Sequence, residues 1–140
     1  MEERVDRCLG FRLGAAWRRV DRLFNRALQD LGLTNAHGHV LAVVLAHGPL
    51  RVADIAARTG FEASTTSRLV AELVRRRMVR RLPDPDDGRA TLIATAYRGE
   101  ALHRNLDAAI AGADEELLRQ LPARGLKGLL RMLDALGGLP

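Results

Sequence analysis

Residues 52–81 read VADIAARTGFEASTTSRLVAELVRRRMVRR. The stretch contains two apolar patterns with helical spacing, VADIAART and a longer one that starts near Ser64. Gly60 separates them, and because glycine adopts a positive φ at little cost it can end the first helix within one residue. Ala56 supplies a small side chain where the two helices would approach closely. The pattern therefore predicts a helix-turn-helix.

Positive charge is concentrated in the same part of the chain. Between residues 50 and 81 there are eight arginines and three acidic residues, a net charge of +5, and the remaining segments cancel one another. A helix dipole favours C-terminal cations by about 0.3–1 kcal/mol each, which explains one or two arginines but not the five in RRRMVRR (75–81). We therefore expect a polyanionic partner, nucleic acid first and an anionic membrane surface second. The alternative is a solvated arginine-rich face.

Helical spacing also continues on both sides of this stretch. Apolar residues recur over 8–31, and Thr34 can cap a following helix that ends at Gly48. Two further helices are predicted at about 97–119 and 123–136. With 140 residues, 47% hydrophobic and 4% aromatic, the composition favours one mainly helical domain.

Only one segment departs from the helical period. VRRLP (79–83) and ATLIAT (90–95) have strand character and are joined by DPDDG (84–88). Asp-Gly between two such segments signals a hairpin, because both turn residues tolerate positive φ. The sequence thus predicts a small β-hairpin directly after the helix-turn-helix.

The start of the second helix carries a row of polar side chains. Ser64, Thr65, Ser67 and Arg68 fall on its outward face, the part of such a helix that enters a major groove. Hydroxyls can contact base edges or phosphates, and arginine can pair with guanine. Serine or threonine at a helix start is more commonly only a cap. Four polar residues together, with arginines at the far end of the helix, favour groove binding.

Three motifs together resemble the MarR family of winged helix-turn-helix transcription regulators: GLT (32–34), the residues from 47 to 81, and DPDDGRA (84–90). The last matches the acidic DPxDxRA loop of the family's wing. The resemblance implies a mainly α fold with a small β-hairpin wing. A DNA-binding lobe at 34–95 would be flanked by a helical dimerisation region at 8–31 and 97–137.

The function implied by the resemblance is a homodimeric repressor that binds double-stranded DNA at a pseudo-palindromic operator. Arg89 would enter the minor groove, with its guanidinium held by Asp87. The expected DNA-binding residues are Ser64, Thr65, Thr66, Ser67, Arg68, Arg75, Arg76, Asp87 and Arg89.

Two positions depart from the family pattern. Arg77 stands where members usually have glycine, and if the backbone there has positive φ, arginine costs about 1–2 kcal/mol. Alternatively, the helix continues further. Gly88 stands where a basic residue is common, which predicts a more flexible wing tip.

Apolar residues near the C-terminus exceed what one side of a helix needs to cover a small domain. We therefore expect a dimer, the alternative being a monomer with an ordinary core. The expected interface residues are Leu9, Leu13, Leu118, Leu129, Leu133 and Leu136.

Relatives that release DNA on binding a small anionic aromatic compound imply an effector pocket. Trp17, Arg18, His37 and His39 are its expected lining, although Trp17 lies on the apolar stripe, which favours a core position for it. A redox-sensing branch of the family makes Cys8 an alternative sensor, although Cys8 lies about two residues too early.

Other functional classes have little support. His37 and His39 lie two apart on a helix and face different directions, so they do not form a metal pair. No phosphate loop or nucleophile with a base is evident, so we expect neither an enzyme nor a cofactor. A single cysteine, a charged N-terminus and no membrane-length apolar run predict a cytoplasmic protein without membrane attachment. The remaining alternative is a winged-helix module that docks an acidic protein partner.

Overall fold

Residues 1–139, the part of the chain that the computed structural model describes, form seven α-helices and one antiparallel hairpin. The elements are α1 Glu2–Arg7, α2 Leu9–Leu28, α3 Asn35–His47, α4 Val52–Thr59, α5 Ala63–Arg75, β1 Val79–Pro83, β2 Thr91–Thr95, α6 Tyr97–Arg119 and α7 Leu126–Gly137. Short 3-10 turns follow α2 and precede α7. The predicted fold class, mainly helical with a small hairpin, is confirmed. None of the described helices is long and apolar enough to cross a membrane.

The helix-turn-helix consists of α4 and α5. Gly60 has a φ of 75°, and its amide donates to the Ala56 carbonyl at 2.9 Å, which ends α4 as predicted. Ile55 and Leu69 are fully buried in the core that this turn closes. Because both side chains leave water completely, they hold α5 at a fixed angle to α4.

The hairpin lies directly after α5. Val79 pairs with Thr95 at one end of its register and Pro83 with Thr91 at the other. Leu50 joins the hairpin through an isolated antiparallel bridge, since its amide donates to the Ile93 carbonyl at 3.0 Å and its carbonyl accepts from the Ile93 amide at 2.7 Å.

The predicted Asp-Gly turn is wrong. Strands β1 and β2 are joined by a seven-residue loop, 84–90, which the Asp84 amide closes by donating to the Ala90 carbonyl at 3.1 Å. Among the described residues only Gly32, Gly60 and Arg77 have positive φ, so Gly88 does not. Aspartate side chains bond to backbone amides two residues ahead and shape this loop without left-handed residues.

Arg77 has a φ of 58°, the left-handed conformation usually taken by glycine. Helix α5 ends at Arg75, so the alternative of a longer helix is wrong. The Met78 amide donates to the Leu73 carbonyl and the Arg77 amide to the Val74 carbonyl, each at 2.9 Å. Together these bonds form a Schellman-type C-cap with arginine at the left-handed position.

Replacing Arg77 with glycine should stabilise the protein by about 0.5–1 kcal/mol. The change removes about 1–2 kcal/mol of backbone strain, partly offset by the larger entropy of glycine in the unfolded chain. Urea unfolding measures the difference. The control Arg75→Gly, at the last residue of helix α5 where φ is not positive, should instead destabilise by up to about 1 kcal/mol. An Arg77→Gly protein less stable than the parent would contradict the strain argument.

Candidate nucleic-acid interface

The exposed face of α5 carries Ser64, Arg68 and Arg75. At 100° per residue these three positions lie within about 40° of one another, so they form one stripe about 16 Å long. No side chain caps α5, whose N-cap residue is Glu62. The hydroxyls of Ser64 and Thr65 are therefore not used as caps, and the capping interpretation is wrong.

Two predicted contact residues have roles inside the fold. Thr66 is fully buried and its hydroxyl donates to the Glu62 carbonyl at 3.0 Å, so its prediction as a DNA contact is wrong. Helical spacing turns Thr66 about 200° away from Ser64, which explains its burial. Arg76 donates to the Gly32 carbonyl at 2.7 Å and joins the end of α5 to the turn after α2.

The wing presents Arg89 as an exposed side chain. Asp87 accepts from the Arg89 backbone amide at 3.1 Å, and its own carbonyl accepts from the Ala90 amide at 2.9 Å. No ion pair joins Asp87 to the Arg89 guanidinium within residues 1–139. The predicted role of Asp87 is therefore corrected, because the carboxylate fixes the backbone of Arg89 and not its guanidinium.

Asp84 connects the wing to Arg51, the N-cap residue of α4. Its side chain is 6% exposed and accepts from Arg51 Nε at 2.9 Å and from Nη2 at 2.5 Å. The Asp86 amide donates to its second oxygen at 2.9 Å. This amide first and Arg51 second keep the pKa of Asp84 below its usual value. Sequence reasoning missed the pair, since Arg51 and Asp84 lie 33 positions apart.

Glu72, which sequence reasoning also missed, lies on α5 beside the exposed stripe and is partly buried. It accepts from Arg68 Nη1 at 3.1 Å through one carboxylate oxygen, and its other oxygen lies 2.5 Å from His37 Nε2 on α3. The hydrogen bond with His37 and then that with Arg68 lower the pKa of Glu72.

A cavity of about 350 Å³ lies between α2, α3 and α6. Trp17 and His39 line it, whereas Arg18 and His37 do not, so the expectation for those two residues is corrected. The ring of His39 meets that of Phe61 edge-on, with centroids 5.8 Å apart, and partial burial lowers the pKa of His39. The other lining residues are Val20, Phe24, Leu28, Asn35, Gly38, Ala42, Ile110 and Leu117.

The described residues contain no group of three His, Cys, Asp or Glu side chains able to hold a metal ion. Cys8 is a half-buried free thiol at the break between α1 and α2. Its role in redox sensing stays a prediction.

Comparison with known proteins gives consistent matches. Residues 31–90 match the model of the MarR family. The HTH-type transcriptional repressor NicR of Pseudomonas putida is 30% identical over 102 residues, which cover 73% of this chain and 63% of NicR. The matched part of the chain thus spans less than two thirds of that relative's length.

Solved structures match along almost the whole chain. A probable transcriptional regulator from Pseudomonas aeruginosa is 29% identical with a TM-score of 0.83, covering 95% of this chain and 99% of that one. CouR from Rhodococcus jostii RHA1, solved with p-coumaroyl-CoA, is 26% identical with a TM-score of 0.83, covering 97% and 96%. The transcriptional repressor CouR bound to a 23-mer DNA duplex is 25% identical with a TM-score of 0.81, covering 95% and 94%.

Replacing Asp84 with asparagine should destabilise the protein at neutral pH and remove one component of its acid sensitivity. Because folding lowers the pKa of Asp84, its stabilising effect is complete above about pH 4 and is lost as the pH falls through the folded pKa. Urea unfolding between pH 3 and 7 should therefore show a stability gap between the two proteins that narrows below about pH 4. The neighbouring Asp86→Asn variant is the control, since the side chain of Asp86 is exposed and forms no ion pair within residues 1–139. A gap independent of pH would refute the role of the carboxylate.

Proposed function

Since this chain belongs to the MarR family of winged helix-turn-helix transcription regulators, we propose that it is a homodimeric repressor that binds a pseudo-palindromic DNA duplex. One observation carries the proposal. The polar face of α5 is solvent-exposed and belongs to the same lobe as the exposed wing arginine, and this lobe contains the segment 50–81, whose net charge is +5. CouR, which shares the fold, has been solved on a DNA duplex.

The exposed polar side chains of α5 and the wing have distinct proposed roles. Ser64, Ser67 and Arg68 are exposed, Thr65 is partly exposed, and they would meet base edges in the major groove. Arg75, further along the same stripe, would meet a phosphate. Arg89 on the wing would enter the adjacent minor groove, where narrow A·T-rich sequence concentrates negative potential.

The dimer would form from the two ends of the chain. Helix α7 has no buried residue. Within residues 1–139 it packs mainly against the 3-10 turn before it. Leu133 on α7 is 49% exposed, Leu118 on α6 is 41% exposed and Leu9 on α2 is 68% exposed. A second copy would cover these leucines and place two α5 helices on successive half-sites. In this arrangement the DNA-binding lobe would be residues 34–95 and the dimerisation region residues 8–31 and 97–137.

We also propose that the cavity between α2, α3 and α6 binds a small aromatic effector. Trp17 and Phe24 provide aromatic walls, while Asn35 and His39 provide polar groups. CouR has been solved with p-coumaroyl-CoA, which contains an aromatic acyl group. Because no lysine or arginine of the described chain lines the cavity, the charge of an anionic effector would have to lie outside it.

The DNA-binding proposal predicts tight, salt-sensitive binding to a selected duplex by a particle of twice the 15.4 kDa chain mass. Arg89→Ala should weaken this binding about tenfold or more while leaving the dimer intact. Fluorescence anisotropy measures the affinity and sedimentation velocity measures the mass.

A matched control is Arg124→Ala, an exposed arginine beyond the far end of the 23-residue helix α6, which should bind DNA like the parent. Equal affinity of the Arg89→Ala and parent proteins would remove the wing from the interface. No DNA affinity at low salt, with retention on an acidic protein surface instead, would favour the protein-docking alternative.

Trp17 is the only tryptophan, so its emission reports directly on the cavity. Benzamide and benzoate share a ring and differ in charge. Benzamide should change Trp17 emission at least as strongly as benzoate, because no lysine or arginine among residues 1–139 lines the cavity. Ala42→Phe, which fills the cavity, should abolish the response and retain DNA binding. If neither compound changes the emission at millimolar concentration, the aromatic-effector proposal fails.

A further inference from the structure

We propose that Glu72 is a positioning residue that directs Arg68 toward a base rather than a phosphate, and that His37 locks Glu72 in place. The proposal rests on the proposed DNA binding by α5. It assigns part of the sequence specificity to two side chains that would not themselves touch DNA.

The three side chains form a continuous polar chain across two helices. Arg68 Nη1 donates to Glu72 Oε1 at 3.1 Å, one turn further along α5. Glu72 Oε2 lies 2.5 Å from His37 Nε2, which comes from α3. Side-chain exposure decreases along this chain, from 60% for Arg68 to 26% for Glu72 and 14% for His37.

His37 is itself held at the start of α3. Its Nδ1 lies 2.7 Å from the hydroxyl of Thr34, which is also the N-cap of that helix. Both ring nitrogens and both carboxylate oxygens therefore have partners. An exposed Glu–Arg pair one turn apart is normally mobile, because both side chains rotate freely. Here the carboxylate is tied to a second helix, so the arginine has a fixed attachment point.

The tether changes what Arg68 can bind. A guanidinium carries five N–H donors, and the tether uses one, which leaves the others for the exposed side of α5. A free arginine beside DNA readily meets phosphate, a contact that carries no sequence information. The Glu72 carboxylate repels a phosphate, which carries a full negative charge, more strongly than the uncharged O6 and N7 acceptors of guanine. Arg68 held by Glu72 is thus biased toward reading a base.

The test is selection of duplexes from a random library by the parent protein and by Glu72→Gln. The released arginine should lower the ratio of selected to scrambled affinity about tenfold and reduce base preference at one position of each half-site. It should also steepen the dependence of log affinity on log salt by about 0.9 for each new phosphate contact.

Three further comparisons separate this mechanism from a general loss of charge. Glu62→Gln removes an equal charge from an exposed residue at the N-terminus of α5, so it should raise affinity for all duplexes and leave the ratio unchanged. In an Arg68→Ala background, Glu72→Gln should have no further effect on the ratio. His37→Gln keeps the Arg68–Glu72 pair but removes the lock, and it should give the same change in smaller degree.

The proposal is overturned if Glu72→Gln selects the parent sequence with the parent ratio, or if it lowers the ratio equally with and without Arg68. Should Glu72→Gln fail to fold by circular dichroism, His37→Gln decides by the same two measurements. A parent protein that selects no sequence at all would instead refute the proposed function.

Discussion

The tight turn between α4 and α5 is the constraint on which the rest of the structure depends. Gly60 takes a φ of 75° and its amide closes α4, so the chain reverses within a few residues. Ile55 and Leu69, both buried completely, then fix the direction of α5. A helix held in this way has only one exposed stripe, and that stripe is polar. The packing of α5 in the core and the position of its polar stripe thus both depend on the turn at Gly60.

The wing depends on a buried charge. Removing a carboxylate from water costs free energy unless hydrogen-bond donors contact its oxygens. The Asp84 carboxylate accepts from the Arg51 guanidinium and from the Asp86 amide. Because Arg51 is the N-cap residue of α4, this ion pair ties the wing to the helix-turn-helix. The acidic loop beside a strongly basic surface is therefore explained by structure: its aspartates hold the backbone from which Arg89 projects.

Local patterns in the sequence predict the exposure and partners of some side chains correctly and those of others wrongly. Ser64 and Arg68 were placed on the exposed face because helical spacing separates inward from outward positions. Thr66 has the same chemistry as its neighbours but the opposite direction, which composition alone does not distinguish. The resemblance predicts that Asp87 pairs with the Arg89 guanidinium, but its carboxylate instead accepts from the Arg89 backbone amide. His37 was assigned to the effector cavity, but its partner is Glu72.

The sequence by itself determined the order and type of the elements from α2 onward, the glycine turn, the position of the hairpin and the polar stripe of α5, whereas the short helix α1 was not predicted. These features follow from rules that act over a few residues, such as periodicity and backbone preference. Only the tertiary structure decided the pairs Arg51–Asp84, His37–Glu72 and Arg76–Gly32, whose members lie 33, 35 and 44 positions apart. No spacing rule reaches so far, since contacts between distant residues exist only after the helices have packed.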